Sequence, residues 1–149
     1  MNAEQMWESY INNNGENKDK TYDAWCFGNN EKMANKLGSL VKDGEKSATT
    51  SGLCFYTLEN EQLPRVGEFS IILNWNKEAQ CIIQLTKVYV TQFNKVSKEH
   101  AFKEGEGDKS LVYWQNVHKE FFTEELKSYG KIFDENMQVV CEEFKVVWK

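Results

Sequence analysis

The chain has 149 residues, a net charge of −5, and 40% hydrophobic and 13% aromatic residues. A chain of this length can bury ~70% of the surface its unfolded form exposes, so it supports one domain with its own core and needs neither disulfides nor metal to fold. The aromatic content excludes a disordered chain, and the acidity argues against a protein that grips nucleic acid by its phosphates. A pocket for one nucleoside or a short single strand stays open.

Residues 3–13 are predicted to form a helix, with Ala3, Trp7, Tyr10 and Ile11 on one face and Asn12-Asn13-Asn14-Gly15 as its stop. Residues 15–24 are polar and read as a loop, followed by an aromatic knot, AWCFG, around Trp25 and Phe27. Met33, Leu37, Leu40 and Val41 recur at helical spacing and predict a second helix over 30–42, capped by Asn29 or Asn30 and ended by Gly44. The segment ATTSGLCFYTLENE begins extended and then turns helical. LPRVGE, with the only proline, reads as a turn into a strand over 69–75, and QCIIQLTKVYVTQF (80–93) as the second strand of a hairpin. A short helix over 97–104 and an EGEGD loop follow. The longest helix spans 110–130, with Asp108 as N-cap and Leu111, Trp114, Phe121 and Phe122 as its buried stripe. In the last strand, 137–149, the apolar phase moves from Met137, Val139 and Cys141 to Phe144, Val146 and Trp148, which predicts a β-bulge at Glu142-Glu143. The order is α+β, and a small curled or barrel-like mixed sheet with flanking helices fits it best.

Four cysteines, Cys26, Cys54, Cys81 and Cys141, lie in apolar neighbourhoods without C-x-x-C spacing and read as reduced thiols. No basic region followed by an apolar run opens the chain, and no apolar stretch approaches the ~20 residues of a membrane span. The expectation is a soluble cytoplasmic protein without cofactor or metal.

Lys46 follows a helix end and is trailed by Ser47, Thr49, Thr50 and Ser51. A solvated lysine at a helix C-terminus is the plain reading, since the helix dipole favours it there. Acting as a base instead requires a buried lysine able to give up its proton to a nearby hydroxyl's advantage, with Thr49 the natural partner. Residues three apart on a strand face opposite ways, so the two converge only where the chain turns between them. In EGEGD, glycines let the carboxylates of Glu104 and Glu106 point into a cleft, but the acids do not follow calcium-loop spacing. Neither His100 nor His118 sits in a metal pattern; His118, beside the apolar stripe, reads as a hydrogen-bonded structural histidine.

Gly44-Glu45-Lys46-Ser47-Ala48-Thr49-Thr50-Ser51 fits the G-x-K-x-x-T-x-[RS] signature, and the chain resembles the ASCH domain family from about Tyr22 to its end. AWCFG, LPRVGE, the 80–93 strand, EGEGDKSLVYW with His118 and Phe121-Phe122, and VVCEEF carry the resemblance further. It implies one ASCH domain over 1–149, a PUA-like barrel with flanking helices whose core starts near residue 22, preceded by the 3–13 helix. It also implies an RNA-related role. Some small members of the family remove the acetyl group of acetylcytidine, with the motif lysine as base, the motif threonine as nucleophile and a downstream glutamate as acid. Lys46 and Thr49 match the first two, and Glu104, in HAFKEGE, matches the third. Trp25, Ser51, Glu106, Asp108 and Trp114 are then expected around a nucleoside or unpaired base. A noncatalytic single-stranded RNA-binding module is the alternative, and a ribonuclease ranks third because three acids near the site repel a polyanion. Duplex DNA and membranes are not expected partners. The short amidohydrolases carry arginine where this chain has Ser51, which removes a cation able to hold a carbonyl or phosphate.

Overall fold

The computed structural model describes all 149 residues. The first helix, α1 (Ala3–Asn13), has the predicted bounds and is closed by a capping box between Asn2 and Gln5. A four-residue strand, β1 (Tyr22–Trp25), follows where the sequence reads as a loop; Asp23 and Ala24 are exposed, so it carries no alternation to betray it. Asn30 caps α2 (Glu31–Lys42) by accepting from the Met33 amide. Next come β2 (Ala48–Gly52) and α3 (Leu53–Leu58), the extended-then-helical order anticipated. The hairpin β3 (Phe69–Leu73) and β4 (Ala79–Gln92) forms as predicted, except that Trp75 lies beyond β3 and is 43% exposed. The chain ends with α4 (Lys98–Glu104), α5 (Leu111–Lys127) and β5 (Gln138–Trp148).

The five strands form one mixed sheet in the order β1-β3-β4-β5-β2, with β1 parallel to β3 and every other pair antiparallel. The sheet is open, because β1 and β2 remain its edges; it does not close into the barrel expected. Apolar residues cover it in three clusters. Met6, Trp7 and Tyr10 of α1 pack on Phe69, Ile71 and Ile82. Leu37 and Val41 of α2 pack on Ile72, Cys81, Ile83, Leu85 and Phe144. Trp114, Phe122 and Leu126 of α5 pack on Phe93, Val139 and Cys141.

These clusters correct the bulge expected in β5. Pairing slips between Leu85↔Phe144 and Lys87↔Glu143, so the extra residue is Thr86, on β4. A second slip leaves Val147 unpaired on β5. Alternation along β5 runs through Glu142-Glu143 unbroken: Val139 and Cys141 face α5, and Phe144 on the opposite face meets the α2 cluster. The first half buries both faces, Val140 as well as Val139 and Cys141, and the apolar residues of the second half, Phe144 and Val146, continue the face of Val140.

Candidate functional site

The signature segment is fixed from two sides. At the end of α2 the chain reverses at Gly44, and the amides of Glu45 and Lys46 both donate to the Leu40 carbonyl. The Ser47 amide then donates to the Lys103 carbonyl at 2.8 Å, tying the start of β2 to the end of α4. This bond sets Lys46 opposite Glu104, 58 residues later. α4 ends at Gly105, whose φ of +74° suits glycine, and an added Cβ there would sit 2.2 Å from the Glu45 carbonyl oxygen. The glycine therefore permits the close approach that brings the two halves of the site together.

Lys46 is 2% exposed and Glu104 1%. The Lys46 Nζ donates to Glu104 Oε1 at 3.0 Å and lies 3.8 Å from Glu106 Oε2, above the face of Phe27. The solvated-lysine reading is thus replaced by a buried ion pair. Around Glu104 Oε2 the donors are crowded. Thr50 Oγ1 donates at 2.7 Å, the Trp114 indole N–H donates, and the Nε2 atoms of His100 and His118 lie at 3.3 and 3.4 Å. Burial opposes ionising Glu104, but Lys46 first, then His118 and the histidine hydrogen bonds, hold its carboxyl well below the usual range. Burial likewise opposes charging His100, yet contacts with Cys141 and Glu104 raise it to about 9. His118, also opposed by burial, is raised by Glu104 and Glu106, and its Nδ1 is bonded to the Trp114 carbonyl oxygen.

A cavity of about 360 Å³ opens above this pair. Lys46, Thr49, Thr50, Glu104, Glu106 and His118 supply its polar wall, with Phe27 and Phe121 among its apolar lining. A second cavity of about 760 Å³ is lined by Trp25, Ser51, Tyr56, Leu85, Glu142 and the acids Asp23, Glu61 and Glu68, among others. Thr49 lines both.

The expected site residues therefore divide. Lys46, Thr49, Glu104 and Glu106 share the first cavity. Trp25 and Ser51 are in the second, where Ser51 Oγ and the Tyr56 hydroxyl are 2.8 Å apart. Trp114 is buried behind Glu104, stacked on His118 and Phe93, and lines neither cavity. Asp108 is exposed and lines neither; it accepts from the Ser110 amide, and Ser110, not Asp108, is the N-cap of α5. Sequence reasoning passed over Thr50, His100 and Glu142. Thr50 was eclipsed by its neighbour, since only the register Thr50↔Cys141 shows that Thr50 shares the face Cys141 turns toward α5. His118 is both the hydrogen-bonded histidine anticipated and part of the cavity wall.

Glu104, Glu106 and His118 place ligand atoms within 4.8 Å of one another. A metal ion among them would stand against the Lys46 ammonium, which already supplies the positive charge these carboxylates need. The two carboxylates are better read as the counter-charge of Lys46, with His118 hydrogen-bonded beside them.

The ASCH domain model matches residues 23–148. The fold is similar to the crystal structure of an ASCH domain from Lactobacillus crispatus, with a TM-score of 0.92 and 37% identity over 98% of this chain and 94% of that one. Protein EF3133 from Enterococcus faecalis is similar at a TM-score of 0.89 and 40% identity, covering 97% of this chain and 87% of that one. A hypothetical protein, PH0355, shares the fold at 19% identity and a TM-score of 0.54, over 85% of this chain and 98% of that one. A comparison with curated proteins found no match. With its open mixed sheet and flanking helices in the PUA-like arrangement, this chain belongs to the ASCH domain family.

Proposed function

We propose that the protein is an amidohydrolase acting on an acylated nucleoside, with acetylcytidine as the substrate the family resemblance suggests. The observation that carries this reading is the buried Lys46–Glu104 pair at the wall of a cavity that Thr49 also lines. Burying two charges costs several kcal/mol per ion, and perturbed ionisable groups in a cavity mark sites of chemistry. The volume, about 360 Å³, fits a nucleoside and falls within the range of small-molecule sites. Acids also line it, Glu106, Glu120 and Glu124, which a neutral nucleoside tolerates and an RNA backbone does not.

The resting pair is an ammonium and a carboxylate. As bound substrate excludes water from the pair, desolvation favours a proton shift along the 3.0 Å hydrogen bond, against the donors that hold Glu104 ionised at rest, and leaves a neutral amine on Lys46 and a neutral acid on Glu104. One shift thus provides both catalysts. The Lys46 amine takes the Thr49 proton as the Thr49 oxygen attacks the acetyl carbonyl carbon. Glu104 then gives its proton to the exocyclic nitrogen as the C–N bond breaks, releasing cytidine and leaving an acetyl ester on Thr49. Both side chains return to their resting charges.

The test is cytidine release from acetylcytidine by the parent and by Lys46→Ala, Thr49→Ala and Glu104→Gln. The expected loss is on the order of 10²-fold or more for each, the range for removing a general acid or base. Undiminished release in Thr49→Ala would remove the nucleophile assignment, and no release by the parent would remove the function.

A further inference from the structure

The acetyl ester has to be cleared by water, and in the first cavity the remaining groups are poorly placed to activate it: Glu120 and Glu124 are solvent-exposed, and His118 faces the Trp114 carbonyl and Glu104. Once cytidine has gone, Lys46 is an ammonium again. Glu104 has Oε1 on Lys46 and Oε2 on Thr50 and Trp114. Glu106, at 3.8 Å, faces the same ammonium. The second cavity, which meets the first at Thr49, holds a carboxyl of a different kind.

Glu142 is the β5 partner of Thr49 across the β2–β5 ladder. Directly opposed residues point to the same face with Cβ atoms ~4.5–5.5 Å apart. Both residues line the second cavity, which offers water a route to the pair separate from the first cavity. We propose that Glu142 is the catalytic carboxylate of deacylation, serving Thr49 from this second cavity; the inference rests on the amidohydrolase reading above. Glu142 takes a proton from water as the water oxygen bonds to the ester carbonyl carbon. It returns that proton to the Thr49 oxygen as the ester C–O bond breaks. Acetic acid leaves and loses its remaining proton to solvent, and Thr49 and Glu142 are restored.

The environment suits a carboxyl that gains and loses a proton near neutrality. Burial first, then the charges of Glu68 and Glu104, raise Glu142 to about 7, with Lys46 opposing. Asp23, Glu61 and Tyr56 face the same cavity and add no cation. The adjacent Glu143 shows the contrast. It is hydrogen-bonded to Lys103 at 2.8 Å, paired with Lys87 at 3.7 Å, and held below the usual range.

The test is a rapid-quench time course of cytidine release, with intact-mass analysis of the full chain, for the parent, Glu142→Gln and Glu142→Asp. The glutamine variant should release about one cytidine per chain in a burst at the parent's rate. It should then turn over on the order of 10²-fold more slowly while an acetyl adduct accumulates. Glu142→Asp, which keeps a carboxyl, should show the same pattern with a smaller fall, and Glu142→Gln/Thr49→Ala should carry no adduct. A merely structural role for Glu142 would lower both phases together. That outcome, or steady turnover by Glu142→Gln at the parent's rate, overturns the assignment while leaving the amidohydrolase standing. A parent that releases no cytidine overturns both.

Discussion

At the scale of residues, the site is a lesson in how partners set the behaviour of identical groups. Glu104, Glu142 and Glu143 are the same side chain in three environments: saturated by donors, unpaired in a cavity, and bridged to lysines. Each leaves a signature in stability. Glu142 binds its proton more tightly folded than unfolded, so its contribution is complete below about 4.5 and is lost as pH rises through about 7. Glu142→Gln should therefore gain stability relative to the parent above pH 7 and flatten the unfolding profile between these values in denaturant titrations. A variant that tracks the parent across this range would show that the carboxyl is not perturbed. Glu104 has the opposite sign. Its contribution is present above its ordinary range and is lost as pH falls through its depressed folded value. Glu104→Ala strands the Lys46 charge and should cost about 3–5 kcal/mol at neutral pH. Lys46, Thr49 and Glu104 were marked as candidates by the family signature and the HAFKEGE segment, and the three line one cavity. Glu142 was not, because its importance lies in the register that sets it against Thr49, 93 positions away by number, and no local pattern encodes a register.

At the scale of elements, the helices and the β3–β4 hairpin were readable because each carries a period and a stop that are local. β1 was hidden for the opposite reason: four residues with an exposed middle become a strand only by pairing with β3 more than forty residues on. The phase change in β5 was seen but assigned to a bulge in the wrong strand, since the extra residue there is Thr86 of β4 and Val140 already buries the second face ahead of the two glutamates. The junction of α4 with β2 is the element-level contact on which the site depends. Gly105→Ala forces a side chain into left-handed backbone and a Cβ against the Glu45 carbonyl oxygen. The backbone penalty alone is roughly 1–2 kcal/mol. Because the residue adjoins Glu104, hydrolysis should fall by more than the loss of folded protein explains. Thermal unfolding and kcat measured on the same preparation separate the two, and a fall in stability with kcat intact would show that the junction does not position Glu104.

At the scale of the whole molecule, an open sheet leaves β2 as an edge, and this edge lines both cavities through Thr49. No helix is long and apolar enough to cross a membrane. The net charge of −5 and the acids around both cavities oppose a polyanion, whereas a nucleoside has no such charge to repel. In the proposed function, this family member turns a buried lysine–carboxylate pair to hydrolysis of a small amide. The most direct measurement is one purified preparation assayed side by side for cytidine release from acetylcytidine and for binding of single-stranded RNA across a salt series. The expected result is release that Lys46→Ala abolishes, with no RNA binding at physiological salt. Salt-dependent RNA binding with no cytidine released would contradict it.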